Sequence, residues 1–219
     1  MKKIYIKKIL AISVISLFFV QVLYLVALEP SVVIANTATD NVIVTLNVTS
    51  GLTLSNGADT TMTPNIGITS DKSIGSSSWI ANTNSATGYS LAVKASTTPA
   101  LISATDNFAN YTEGTPGTPD LWGGVAGGTK EFGYSAYGTD VTSGTWGVYS
   151  SCGNTGTGVV DPAAKYRGFT TSDIVISGRA GVTPTTGITT NICFAAQQNA
   201  VYAASGAYTA TITATMTAS

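Results

Sequence analysis

The sequence predicts an all-β protein: an antiparallel β-sandwich of Ig-like or jelly-roll-like type, carrying an insertion rich in Gly, Thr and aromatic residues. Three observations lead there. The closing segment alternates Tyr208, Ala210, Ile212, Ala214 and Met216 with Thr at every intervening position through Thr217, the period of a half-buried strand. Helix-favouring charged residues are scarce, since 10% of the chain is charged and Glu113 and Glu131 are the glutamates beyond residue 35. Turn signals such as Ser55-Asn56-Gly57, Thr87-Gly88 and Ser205-Gly206 recur between the candidate strands, as short antiparallel connections require.

Taken in order, the chain opens with Lys2, Lys3, Lys7 and Lys8, followed by an apolar stretch from Ile9 to Leu28 and a small-residue segment ending at Ala35. This reads as a secretory signal over residues 1–35, cut after Ala35 with Val33 at minus three. About 20 residues at ~1.5 Å each would also cross a ~30 Å hydrocarbon layer, so an uncleaved membrane anchor is the alternative. Residues 36–219 then form a single domain, long enough to bury its own core.

Residues 41–48 read as an early strand, apolar enough to be covered on both faces. Residues 88–95 alternate Tyr89, Leu91, Val93 and Ala95 with Ser90, Ala92 and Lys94, the pattern of a strand with one buried face. Shorter candidates lie at 62–69, 77–82, 131–135, 173–177 and 191–196, and 208–217 is the last strand. From about 105 to 169 the alternation weakens and Gly, Pro and Thr intervene every few residues, yet ten of the fifteen aromatics beyond residue 35 fall there. Disordered linkers are poor in aromatics, so this is a folded elaboration.

Those aromatics admit two readings. Trp122, Trp146, Tyr134 and Tyr137 could present a platform for sugar rings, or they could fill a core whose strands are dominated by Ala and Thr. Cys152 and Cys193, the two cysteines of the chain, read as a disulfide in an exported protein. Asp106 and Asp120 are the calcium candidates, and with Glu113 they are the carboxylates a glycosidase would need. They lack the fixed spacing of a calcium loop, which favours a solvated loop.

The chain has no His, which removes Ser/His/Asp and Cys/His nucleophile systems and His-containing zinc sites. An enzyme is therefore not expected, and no cofactor is implied beyond calcium. Residues 36–219 hold six basic and ten acidic side chains, and the basic ones are scattered. Neither nucleic acid nor anionic lipid is expected as a partner, so membrane contact is left to the N-terminal segment.

Residues 44–54 (Val-Thr-Leu-Asn-Val-Thr-Ser-Gly-Leu-Thr-Leu), 78–95 and 205–215, together with the signal-like start, resemble small exported bacterial surface β-sandwich proteins. These include WxL-type cell-surface proteins and fimbrial or spore-coat-like subunits. The Trp-x-Leu motif is absent, because Trp79 is followed by Ile80-Ala81 and Trp122 by Gly123-Gly124. The resemblance implies an extracellular or cell-surface structural or adhesin-like protein. Self-assembly by strand addition through residues 36–48 or 208–217 is one expectation. A module binding cell-surface polysaccharide through the aromatic segment is the other.

Overall fold

The computed structural model describes residues 2–27 and 40–219. The expected cleavage point after Ala35 lies outside the described residues. The chain divides into two compact units, Met1–Asn47 and Val48–Ser219.

In the first unit, helix α1 (Lys2–Ala27) is 26 residues long, and its described side chains, from Ile12 to Tyr24, are exposed. Among the described residues no helix is long and apolar enough to cross a membrane. The strand expected at 41–48 is not formed: residues 40–51 have no regular structure, and Val42, Ile43, Val44, Leu46 and Val48 are exposed. An extended segment becomes a strand only where a neighbour accepts its backbone hydrogen bonds, and among the described residues this segment has none.

The second unit is all-β, as the alternation predicts. Its strands are β1 (Leu52–Leu54), β2 (Lys72–Thr83), β3 (Tyr89–Ala95), β4 (Leu101–Ile102), β5 (Asn107–Asn110), β6 (Asp120–Leu121) and β7 (Thr129–Gly138). After a single turn of helix, α2 (Ser143–Trp146), come β8 (Gly153–Asn154), β9 (Val159–Val160), β10 (Lys165–Gly168), β11 (Ile174–Arg179), β12 (Ile188–Asn199) and β13 (Ile212–Ala218). The larger sheet runs β1-β2-β12-β7-β10-β6, with β5 also on β7, and the smaller runs β11-β3-β13. All pairings are antiparallel except β5 with β7.

Register explains the layering. In the larger sheet Phe194 lies opposite both Gly75 and Tyr134, and Ile192 opposite Ser77 and Ala136. Side chains alternate across a strand, so Trp79, Phe132, Tyr134, Ile192 and Phe194 share one face. They meet Tyr89, Leu91, Val93 and Ala95 of β3 in the main core. The opposite face carries Ile74, Cys193 and Ala195 and packs against Tyr111, Cys152, Ala164 and Tyr166 in a second cluster. The larger sheet is thus covered on both faces, and β7 is buried continuously from Phe132 to Ala136. Continuous burial is also why the alternation fades there.

The elaboration expected at 105–169 supplies β7, which lies between β12 and β10 in the larger sheet, as well as the cover of its outer face. Gly133 marks the contact. A Cβ there would lie 2.8 Å from Tyr111 Cβ and 3.1 Å from the Trp122 ring, so a glycine within the strand lets the aromatics sit directly on the sheet.

Two other strand expectations change. Residues 62–69 make a single bridge, Thr63 to Ile74, because Pro64 follows at once and has no N–H to continue a ladder. The last strand starts at Ile212 rather than Tyr208. Thr209 exchanges backbone hydrogen bonds with Ile102 at 2.8 and 3.0 Å, and the Thr211 carbonyl accepts from Ser96 N–H. The extended conformation therefore starts early, but the partner changes before β13 joins β3.

Candidate functional site

The smaller sheet has three strands against the six-strand path of the larger one. β13 is paired on one side only, with β3. A cleft of about 1420 Å³ lies between the two sheets. Its walls are core residues, including Trp79, Phe132 and Phe194 from one sheet and Ile212 and Ala214 from the other. The β13 side chains Ile212, Ala214 and Met216 are only half-buried, although the alternation is that of a core-facing strand. Ser73, Gly75 and Ser77 of β2 lie on the same face by register, and their small size leaves the space unfilled.

Two irregular segments form the rims. Residues 55–68 run along β2, held by Ser55 N–H donating to the Ile80 carbonyl at 2.9 Å, Ser77 Oγ donating to the Ala58 carbonyl at 2.7 Å, and the Thr63–Ile74 bridge. Residues 202–210 form the other rim, where Tyr208 meets Phe108 edge-on at 5.2 Å. Among the described lining residues Asp59 is the one charged group.

Asp106, a calcium candidate, holds this second rim. Its carboxylate accepts from Lys130 Nζ at 2.5 Å, from the Tyr208 hydroxyl at 2.7 Å and from Ala204 N–H at 2.8 Å. These donors, Lys130 first, hold the carboxyl well below the usual carboxylate range. Asp120 accepts from the Tyr111 hydroxyl and Gly114 N–H, both at 2.7 Å. Glu113 accepts from Gly168 N–H at 3.0 Å and pairs with Arg167. Each carboxylate is thus committed to its own structural partners, and no cluster of three or more potential metal ligands occurs among the described residues.

The four rings considered for sugar binding do not form a platform. Tyr134 and Trp146 are buried in the main core, 5.3 Å apart and tilted against each other, so neither offers a face to solvent. Trp122 stacks on Tyr111 at 4.5 Å and donates from Nε1 to Gln197 Oε1 at 2.9 Å. Tyr137 lies against Tyr149, whose hydroxyl is hydrogen-bonded to Ser135. Trp122 borders a hollow of about 290 Å³ on the outer face.

Cys152 and Cys193 form the expected disulfide, with Cα atoms 5.3 Å apart across a separation of 41 residues. The bond fastens the outer layer to β12. Sequence reasoning missed Trp79, Phe194 and the two rims. The available signal was the small-residue side of β2, where Ser73, Gly75 and Ser77 repeat at every second position.

No family model matches the chain, and no curated protein or solved structure matches it.

Proposed function

We propose that this is an exported cell-surface structural subunit, adhesin-like in character, that assembles with copies of itself by strand addition. The observation that carries the reading is the edge of β13, paired with β3 on one side only, beside a cleft with core side chains in its walls. A free edge presents unpaired N–H and C=O groups to an incoming strand, and strand addition joins that main-chain bonding to pockets for alternate side chains. The basic and apolar start of the chain supports export. So does the disulfide, a bond typical of oxidising compartments. Tyr134 and Trp146 lie in the core and offer no face to a sugar ring, which favours this reading over the polysaccharide one.

The test is intact mass together with size-exclusion light scattering on protein recovered from the producing cell's surface. A chain cut after Ala35, lighter by two hydrogens for the disulfide and running as polymers, is the expected result. A species that stays monomeric at every concentration would overturn the reading.

A further inference from the structure

We propose that the hollow on the outer face of the larger sheet binds a small organic carboxylate with an apolar body. It lies on the face of that sheet turned away from β13, and it stands or falls independently of the subunit reading.

Register builds the floor. Lys72 of β2 lies opposite Gln197 of β12, and both share the outer face with Ile74, Cys193 and Ala195. Trp122, stacked on Tyr111, walls one side. Val159 and Val160 of β9, with Pro162, wall the other. Two ties position this second wall. Gly158 sits directly on β2, where an added Cβ would lie 2.5 Å from the Lys72 carbonyl oxygen. The disulfide fastens Cys152, just before β8, to Cys193 in the floor strand. The space between the walls, about 290 Å³, is near the lower end of the ~300–1,000 Å³ usual for small-molecule sites.

Lys72 and Gln197 are the polar side chains of the lining, and both bring unused donors to it. Gln197 is 7% exposed. The Trp122 indole can only donate, so the amide oxygen must be the atom that faces it, at 2.9 Å. Nε2 is left over, and among the described residues it has no acceptor; a buried donor of this kind calls for a partner. Lys72 supplies the charge. Of the six basic side chains beyond residue 35, Lys94, Lys130, Arg167 and Arg179 form ion pairs, and Lys165 donates to the Gly144 carbonyl. Lys72 Nζ has no such partner among the described residues.

The described lining contains no carboxylate. Glu131, opposite Gln197 on the side away from Lys72, accepts from Thr112 N–H, and Asp161 accepts from Ala163 N–H. A lysine and an amide donor with no competing acid select an anion, held by a charge-assisted hydrogen bond. The valine, proline and alanine side chains around them offer no hydrogen bonds, so an acid rich in hydroxyls would lose hydration without replacement. A carboxylate on an apolar body suits both parts of the lining.

The test uses the full chain in mild detergent, isotopically labelled at the tryptophan indole nitrogens, with the Trp122 signal assigned through Trp122→Phe. Isovalerate represents a free acid, and N-acetyl-leucine represents the C-terminal residue of a peptide, so the two titrations separate the sources of the same chemistry. At least one should move the Trp122 indole signal saturably while those of Trp79 and Trp146 stay in place. The corresponding amides, and glucuronate as a hydroxyl-rich acid, should bind about tenfold more weakly or worse. Lys72→Met should cause a similar loss, Lys72→Arg should keep affinity within about threefold because it keeps the charge, and Lys94→Met should change nothing. Lys72 is half-buried, and an unchanged melting transition checks that its variants fold. Absence of a saturable shift with both acids would overturn the proposal. So would amides or glucuronate binding as tightly as the acids, full affinity in Lys72→Met, or an equal loss in Lys94→Met.

Discussion

Gln198 and Ala203 join the two rims of the cleft: Ala203 N–H donates to Gln198 Oε1 at 2.8 Å, while the same amide donates from Nε2 to the Gly67 carbonyl at 2.9 Å. Gln198 stands near the end of β12 and is 3% exposed. One buried side chain therefore fixes both irregular segments to the rigid centre of the larger sheet, which sets the width of the opening.

Gln198→Ala should free both rims. It leaves a carbonyl and an N–H without partners, a cost of about 1–3 kcal/mol for each group that stays buried. Amide hydrogen exchange should quicken at Ala203 and around Gly67, with little change in the strand pairs of β7 and β12. Uniform acceleration across the sheet would mean that Gln198 supports the whole fold instead.

How much of this could be read from the sequence follows from what each side chain meets. The strands β3 and β11 were legible because each has one wet face, as Tyr89, Leu91 and Val93 alternating with Ser90 and Lys94 illustrate. β7 and β12 were seen only as fragments, since burial on both faces removes the alternation that marks a strand. Residues 41–48 have the pattern of a strand but no neighbour within the described chain, and pattern alone does not supply one. The disulfide was legible from a count of two cysteines. The cleft was not, because small side chains on β2 and a smaller sheet of three strands leave no local signature.

Removing the Cys152–Cys193 bond should cost about 4 kcal/mol in the chain-entropy account of a loop of 41 residues. Cys193 is wholly buried and Cys152 nearly so, so Ala is the fitting replacement at both. For a unit of this size the melting temperature should fall by roughly 10 °C, measured by circular dichroism. An unchanged transition would show that the outer layer holds to β12 without its covalent tie.

Trp146 tests the fate of the aromatic segment. It is 2% exposed against Tyr134, so Trp146→Ala should cost about 3–5 kcal/mol. Emission from Trp146, isolated in a variant with Trp79 and Trp122 replaced by Phe, should be insensitive to added polysaccharide. A spectral shift that saturates with polysaccharide would return the segment to glycan recognition.

Gly133→Val should act through Trp122. The added side chain points at Tyr111 and the Trp122 ring, and overpacking of this kind costs about 1–3 kcal/mol. If the stack is displaced, the Trp122–Gln197 hydrogen bond goes with it, and indole Nε1–H exchange at Trp122 should accelerate. Retention of slow exchange would show that the outer layer shifts as a body.

Acid should loosen the 202–210 rim before it unfolds the sheets. Asp106 has its carboxyl held low by Lys130, Ala204 N–H and Tyr208, so its folded value lies below an unfolded value of about 3.9. The sign follows from linkage: the stability it contributes is fully present above about pH 4 and is lost as pH falls through the folded value. Glu131 acts in the opposite sense, because burial raises its carboxyl and the Thr112 N–H only partly offsets this. Its protonation slightly favours the folded state as pH drops from neutral through its raised value. Wild type should therefore change little down to about pH 4 and then lose stability steeply. Asp106→Asn should start less stable at pH 7, and the gap between the two proteins should shrink below pH 4, where wild type loses the interactions the variant already lacks. Melting curves at pH 7 and pH 2.5 decide this, and a gap that stays constant would show that the Lys130 and Tyr208 contacts contribute nothing through charge.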